Sequence, residues 1–439
     1  MSELELALTA SLDTPAGAAD FAALRLPQRL LTGLQRHGIT APFPIQARTL
    51  PDALAGRDVL GRAETGSGKT LAFGLPMLAR LSAGDAGRAA GRPGGLVLVP
   101  TRELAGQVRD ALAPLGQPVG VRVLAVVGGA PLGRQVTALR HGVDLLVATP
   151  GRLLDLIRQG ECSLADVEVT AIDEADHMAD LGFLPDVTRI LDLTPAGGQR
   201  LLFSATLDRG VDRLARAYLT DPVPIAVAPA AAPVSTMDHL AFTVRHEDKV
   251  AVAAEIAARP ARTLVFVRTK HGADRLARQL GRAGVATGAL HGNLAQNARQ
   301  RALDAFAAGR ARVLVATDVA ARGIHVDDVD LVVHYDPPAD HKDYLHRSGR
   351  TARAGARGTV LSLLLPEQAG DAAKVRDRAG IRIASTPVGP GHQAVAALGR
   401  SGEPVVVRAE PPAPPAPVRR PSRNRRDRTD RRERRPTAA

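Results

Sequence analysis

Short, continuous apolar runs recur along the sequence, each bounded by glycine, proline or charged residues. They lie at 58–60, 96–99, 123–127, 145–148, 169–172 and 201–203 in the first half, and at 263–267, 287–290, 312–316, 331–334 and 360–364 in the second. Runs of Val, Leu and Ile without polar alternation are typical of strands buried on both faces of a parallel sheet. Between them, stretches such as 74–81 and 271–283 have apolar residues at spacings of three and four, which predicts helices. Because this alternation occurs twice, we predict two doubly wound α/β domains.

The length and composition agree with a two-domain globular protein. A chain of 439 residues is too long for one ordinary core, and 45% hydrophobic with 23% charged residues is normal for a soluble protein. The single cysteine, Cys162, excludes an internal disulfide framework and fits a reducing cytoplasm. The N-terminus lacks a basic-then-apolar signal layout, and no apolar run approaches the roughly 20 residues that span a bilayer. We therefore expect a cytoplasmic protein without a membrane segment.

Charge and composition divide the chain further. The formal net charge is +12, and Pro and Arg dominate from Glu403 onward. Too few apolar residues remain there to build a core, so we predict a disordered basic tail that suits a polyanionic partner, with a solubilising tail as the alternative. The prolines and small residues of 221–235 predict a semi-rigid linker. The expected boundaries are an N-terminal extension at 1–18, a first domain at 19–228, a linker at 229–240, a second domain at 241–380 and the tail at 381–439.

Two motifs follow buried-strand patterns in the first half. The first is a glycine-rich turn, Gly66-Ser67-Gly68-Lys69-Thr70, whose backbone N–H groups can hold phosphates while its lysine reaches the outer ones. The second is the acidic run Asp173-Glu174-Ala175-Asp176, in which one carboxylate can hold Mg²⁺ and the next can orient an attacking water. Taken alone, the first could be a surface turn and the second a solvated helix start. Together and in this order, they indicate hydrolysis of a nucleoside triphosphate.

With these motifs the chain resembles the DEAD-box ATP-dependent RNA helicases of the bacterial type, a branch of helicase superfamily 2. The resemblance covers roughly residues 19–366 and rests on a series of motifs in the family's order. It implies two tandem RecA-like domains with parallel sheets that close over ATP, Mg²⁺ and single-stranded RNA. Such an enzyme separates short RNA duplexes locally or remodels RNA–protein complexes.

The resemblance also implies roles for residues of the ATP site. Catalysis falls to Lys69, Asp173, Glu174 and two arginine fingers, Arg350 and Arg353. Nucleotide contacts fall to Phe21, which would cover the base, to Gln46, which would read adenine, and to Thr65, Gly66, Ser67, Gly68, Lys69, Thr70 and Gly323. Thr70 and Asp173 would hold Mg²⁺, and Asp176, Ser204, Thr206 and Asp318 would couple the ATP state to domain closure. His325 stands where the family usually has an aspartate on the ribose, which places that contact in doubt.

An RNA track is implied along the strand ends of both halves. Its members are Thr101, Arg102, Gly129, Thr149, Arg152, Thr269, Arg299 and Thr317. Hydroxyls, loop N–H groups and arginines bind phosphates and sugars without reading sequence. Because only 3% of residues are aromatic, stacking of bases on rings cannot be the main mode of binding. The 2′-OH would allow RNA to be discriminated from DNA.

Two alternatives stay open at this point. One is an ATP-gated RNA clamp or scaffold with little unwinding, and the other is a DNA helicase of the same superfamily. We expect a monomer whose partners are single-stranded and short duplex RNA. The RNA could belong to ribosomal precursors, to the RNA decay machinery or to cold adaptation, and the residues do not distinguish these.

Overall fold

Two parallel sheets form the protein, each covered by helices on both faces. The computed structural model describes residues 3–11, 20–63, 66–83, 89–227, 237–321, 329–352 and 357–400. Within these ranges each sheet has seven strands, and every neighbouring pair is parallel. This confirms the predicted class of two α/β domains in tandem.

The first domain has its strands in the order β3-β4-β2-β5-β6-β1-β7. The strands are β1 Val59–Arg62, β2 Gly95–Leu98, β3 Val123–Val126, β4 Leu145–Ala148, β5 Val169–Ile172, β6 Gln199–Ser204 and β7 Val223–Ala226. The helices are α1 Glu3–Ser11, α2 Gln28–Arg36, α3 Pro44–Leu54, α4 Lys69–Ser82, α5 Arg102–Gly116, α6 Leu132–Arg140, α7 Pro150–Arg158, α8 Ala175–Asp180, α9 Leu184–Asp192 and α10 Arg209–Tyr218.

The second domain repeats this plan with the strand order β10-β11-β9-β12-β13-β8-β14. Its strands are β8 Met237–Thr243, β9 Thr263–Phe266, β10 Thr287–Leu290, β11 Val313–Ala316, β12 Leu331–His334, β13 Gly358–Leu364 and β14 Thr386–Pro387. Its helices are α11 Lys249–Ala257, α12 Lys270–Arg282, α13 Gln296–Ala307, α14 Asp318–Ala321, α15 His341–Ser348, α16 Ala369–Arg378 and α17 Gln393–Arg400.

The apolar runs are continuous because both faces of each sheet are buried. In β6, Leu201 and Phe203 belong to the core under α3, α4 and α5, while Leu202 belongs to the core on the opposite face. In β9, Val265 and Phe266 divide between two cores in the same way. Successive side chains of a strand point to opposite faces, so a strand between two helix layers needs apolar residues at every position.

The segment between the two sheets ends earlier than the predicted linker. Val223–Ala226 forms strand β7, which pairs with β1 at the edge of the first sheet. Pro224 is tolerated there because an edge strand has one side without ladder hydrogen bonds. Strand β8 begins at Met237, inside the range expected for the linker at 229–240. Residues 229–236 lie outside the described residues.

The predicted tail begins too early. Residues 381–400 complete the second domain, since β14 pairs with β8 and α17 places Val395 and Leu398 in the core against α11. The expectation of disorder from 381 is therefore wrong for this stretch, and residues 401–439 lie outside the described residues. In the N-terminal extension, α1 contacts β7 and buries Leu8. Among the described helices, none is both long and apolar enough to cross a membrane.

Candidate active site

The glycine-rich turn lies at the carboxyl end of β1 and opens α4. Gly66 and Gly68 both have φ of 91°, a left-handed conformation that glycine adopts without strain. A Cβ on Gly68 would lie 2.5 Å from the Gln46 Nε2 and 2.8 Å from a ring carbon of Phe43. Glycine therefore permits both the turn and the close approach of α3. Thr65, predicted to contact nucleotide, lies outside the described residues.

Lys69 and Asp173 form a buried charge pair beside this turn. The Lys69 Nζ donates to the Ala63 carbonyl at 3.0 Å and lies 3.8 Å from the Asp173 Oδ1, and the two side chains are 5% and 4% exposed. Burial raises the pKa of Asp173 to about 6, and the positive charge of Lys69 opposes this shift. A buried carboxylate that is this hard to ionise is stabilised by any further cation close to it.

The oxygen donors at this place suit Mg²⁺. Asp173 supplies a carboxylate and Thr70, on the first turn of α4, supplies a hydroxyl; both are hard ligands of the kind that Mg²⁺ prefers. No group of three or more His, Cys, Asp or Glu able to hold a metal exists among the described residues. Since Mg²⁺ keeps several waters and binds substrate phosphates, one or two protein oxygens are sufficient.

Glu174 has a strained backbone and a buried carboxylate. Its φ of 52° is left-handed, which costs a non-glycine residue about 1–3 kcal/mol and is common at functional sites. Burial alone would raise the pKa of Glu174. The hydrogen bond from the His177 Nδ1 at 3.1 Å and the positive charges of Lys69 and Arg350 all lower this pKa. Together they outweigh burial, so the pKa of Glu174 lies below its usual value. His177 was missed from the sequence, although its position three residues after Glu174 could have indicated the contact.

Asp176, Ser204 and Thr206 form one hydrogen-bonded network between α8 and the end of β6. The Asp176 Oδ2 accepts from the Thr206 backbone N–H at 2.9 Å and from its hydroxyl at 3.0 Å. The Ser204 Oγ accepts from the Asp176 N–H at 3.2 Å and donates to the Thr206 carbonyl at 2.7 Å. Three of the four residues predicted to couple the ATP state to closure therefore lie in direct contact, and the fourth, Asp318, lies in the second domain.

The helix α3 connects the predicted adenine-reading segment to the phosphate-binding turn. The Gln46 Nε2 donates to the Gly68 carbonyl at 2.9 Å, and its Oε1 accepts from the Phe43 N–H at 2.9 Å. The Phe43 ring is 55% exposed beside this contact. Phe21 is 3% exposed inside the hydrophobic core, and its role over the base stays a prediction, whereas Phe43 presents an open ring face beside the turn.

In the second domain, an ion pair between Arg347 and Asp318 anchors the predicted arginine-finger segment. Arg347 donates to both carboxylate oxygens of Asp318, at 2.6 and 2.8 Å, and to the Asp336 carbonyl at 2.7 Å. Its guanidinium lies 5.1 Å from the centre of the Phe266 ring. Arg347 was missed because the prediction considered only arginines that could reach phosphate. Arg350 follows α15, whereas Arg353, Gly323 and His325 lie outside the described residues.

The predicted RNA track lies mainly at the starts of helices. The Thr101 and Thr269 hydroxyls accept from the backbone N–H groups of Leu104 and Gly272, at 3.2 and 3.0 Å. Thr149 directly precedes α7, and its side chain makes no capping hydrogen bond there. These N-termini expose backbone donors that suit phosphates. Thr317 occupies the same position before α14.

Arginines and a glycine complete this surface in the first domain. The Arg152 guanidinium donates to the Ala130 carbonyl at 3.1 Å. Gly129 has a φ of 74°, and a Cβ there would collide with the guanidinium of Arg102. Burial lowers the pKa of Arg102. The negative charge of Glu103 opposes this shift, and the positive charges of Arg299 and Arg152 reinforce it.

A cross-domain contact was not predicted. The Glu103 carboxylate accepts from the Arg299 Nε at 2.8 Å and from the Gln296 Nε2 at 3.3 Å, and the Arg102 guanidinium donates to the Gln296 Oε1 at 3.4 Å. The Glu103 and Arg299 side chains are 5% and 11% exposed. Arg299 was assigned to RNA alone, but in the structure it links the second domain to the first.

Comparison with known proteins identifies relatives over most of the chain. A DEAD/DEAH box helicase model matches residues 43–214, and a helicase conserved C-terminal domain model matches residues 248–355. The chain is 38% identical over 383 residues to DEAD-box ATP-dependent RNA helicase 53 of Oryza sativa subsp. japonica, covering 84% of this chain and 62% of that protein. It is 42% identical over 357 residues to ATP-dependent RNA helicase RhlB of Xanthomonas axonopodis pv. citri (strain 306), covering 80% and 62%. The chain thus spans less than two thirds of the length of these relatives.

A solved structure has the same fold. It is S. cerevisiae Dbp5 bound to RNA and ADP BeF3, with a TM-score of 0.75 and 29% sequence identity, covering 87% of this chain and 100% of that chain. This likeness confirms the expectation of two tandem RecA-like domains.

Proposed function

The chain belongs to the DEAD/DEAH box helicase family, and from this we propose that it is an ATP-dependent RNA helicase that separates short RNA duplexes or remodels RNA–protein complexes. The observation that supports this most strongly is the composition of the acidic site. Lys69, Asp173 and Glu174 of the first domain lie together, and the charge of Arg350 from the second domain acts on Glu174. In this proposal both domains contribute to the site, so that ATP hydrolysis can change the separation of the domains.

In this proposal the first domain holds and activates the substrate. The N–H groups of the glycine-rich turn and the Lys69 ammonium bind the phosphates of ATP, with Gln46 and Phe43 at the base. Thr70 and Asp173 hold Mg²⁺, which would neutralise charge on the phosphate oxygens. Glu174 orients the attacking water, whose oxygen bonds to the γ-phosphorus as the bond from the γ-phosphorus to the β–γ bridging oxygen breaks, which leaves ADP and phosphate.

The second domain completes the site when the two domains close. Arg350 stabilises the charge on the transferred phosphoryl group, as arginine fingers do. The Arg347–Asp318 ion pair holds α15 and α14 together, so the arginine is presented on a rigid support. The Asp176–Ser204–Thr206 network and the Glu103–Arg299 pair transmit closure to the RNA side.

RNA binds in this proposal through its backbone. Helix N-termini after Thr101, Thr149, Thr269 and Thr317 offer N–H groups, while Arg102 and Arg152 offer positive charge. Such contacts do not depend on base sequence, and the 2′-OH allows RNA to be preferred over DNA.

The test is phosphate release from ATP and Mg²⁺ with and without single-stranded RNA, followed by strand separation of a short RNA duplex. We expect RNA, and not DNA of the same sequence, to stimulate hydrolysis and ATP to drive separation. Equal stimulation by DNA would favour a DNA helicase. RNA-stimulated hydrolysis without strand separation would favour a clamp, and absence of any RNA stimulation would refute the proposal.

A further inference from the structure

His177 contacts the carboxylate of Glu174 from one turn along α8. Its Nδ1 lies 3.1 Å from the Glu174 Oε2, and both side chains are 8% exposed. The His177 backbone N–H donates to the Asp176 Oδ1 at 3.0 Å, which ties the start of α8 to the Asp176–Ser204–Thr206 network. His177 therefore touches the acidic run at two points, and one of them is the carboxylate that the proposed function assigns to orienting the attacking water.

The contact determines which ring nitrogen of His177 donates to Glu174. An ionised carboxylate has only acceptors, so the Nδ1 must bear a hydrogen to make this bond. In a neutral imidazole the Nε2 is then an acceptor, and it is buried without a hydrogen-bond partner within the described ranges. A buried polar atom without a partner is unfavourable for folding. Packing alone therefore favours an apolar residue at position 177. A histidine differs from such a residue by its hydrogen bond to the Glu174 carboxylate.

The backbone of Glu174 lies just outside the helix that carries His177. Its φ is left-handed, and α8 begins only at the next residue. The bond from His177 holds the Glu174 carboxylate at its Oε2. Fixing one oxygen limits side-chain rotation and sets the direction of the other.

We propose that His177 is a positioning residue for ATP hydrolysis, which orients the Glu174 carboxylate toward the attacking water without touching ATP itself. This inference rests on the proposed function and adds to it a residue outside the predicted site. It concerns the hydrolytic step and not the binding of ATP or RNA.

Leucine and asparagine at position 177 form a matched pair of variants, because they are similar in shape and only asparagine has an N–H donor near the position of Nδ1. With His177→Leu we expect kcat of RNA-stimulated hydrolysis to fall by about 10-fold to 100-fold, the range for a hydrogen bond to a charged group. KM for ATP should change by less than about 2-fold, since no ground-state contact is lost. His177→Asn should recover most of kcat. Because His177→Leu removes a hydrogen bond to a buried carboxylate, its thermal midpoint should fall, whereas that of His177→Asn should stay near the wild-type value.

A double-mutant cycle separates positioning from general structural support. In single-turnover hydrolysis, His177→Leu added to Glu174→Gln should cause little further loss, because the carboxylate that it positions is already gone. Multiplicative losses, or a wild-type rate for His177→Leu alone, would overturn the positioning role while leaving the helicase proposal intact. Absence of RNA-stimulated hydrolysis in the wild type would instead refute the helicase proposal.

Discussion

Replacing Glu103 by glutamine should weaken closure of the two domains while leaving each domain folded. The Glu103 carboxylate accepts from the Arg299 Nε at 2.8 Å, and neither side chain has much contact with water. Glutamine keeps the shape and a carbonyl acceptor but removes the charge. When the domains separate, water can solvate the Arg299 guanidinium. The substitution therefore destabilises only the closed arrangement of the domains.

The size of the effect follows from the burial of the pair. Hydrogen bonds to charged groups contribute about 1.5–3 kcal/mol, which corresponds to roughly 10-fold to 100-fold in an equilibrium. A non-hydrolysable ATP analogue should raise the RNA affinity of the wild type, and in Glu103→Gln this gain should be smaller by the same factor. The affinities are measured by fluorescence anisotropy with a labelled single strand. RNA affinity without nucleotide should be unchanged.

The Arg92–Asp166 pair of the first domain provides the control. Its two hydrogen bonds are as short, at 2.6 and 2.8 Å, but both side chains are 41% exposed. Exposed pairs contribute only about 0–1 kcal/mol, so Asp166→Asn should leave the analogue-dependent gain intact. If Glu103→Gln keeps the full gain, or Asp166→Asn loses as much, the buried pair does not stabilise closure.

Two further predictions concern the bridge and the base. Ser204→Ala combined with Thr206→Ala should leave much of the ATP hydrolysis but abolish strand separation, because the hydroxyls hold Asp176 and perform no chemistry; duplex unwinding at the wild-type rate would contradict this. Phe43→Ala should raise KM for ATP by about 10-fold, within the range for aromatic stacking on a base. Leu193→Ala, which removes another exposed apolar side chain, is the matched control and should leave KM unchanged; an unchanged KM in Phe43→Ala would exclude base stacking by this ring.

The central strands of both sheets could be predicted because burial on two faces requires continuous apolar sequence. The strands that were missed lie near the sheet edges. Strand β7 contains a proline, β14 has only two residues, and β8 includes Asp238 and His239, so none of them forms the apolar run that was sought. Such strands depend on pairing with a partner distant in sequence, which no local pattern records.

The residues of the site also fall into those that the sequence could identify and those that it could not. Motif residues such as Lys69, Asp173 and Asp176 were identified because their chemistry depends on residue type and local spacing. Phe21 and Phe43 could not be distinguished from the sequence, because only packing decides which ring is buried. Glu103 and Arg347 act through partners contributed by other elements, so their roles emerge only in the folded chain.

The central claim is that one ATP site is assembled from both domains, and Arg350→Ala tests it most directly. RNA-stimulated phosphate release should fall by at least about 10³-fold, the lower end for loss of an arginine finger. The affinity of the nucleotide for the RNA-free protein should stay within a few-fold of the wild type, since the first domain provides the main contacts. A variant that releases phosphate at the wild-type rate would contradict a shared site.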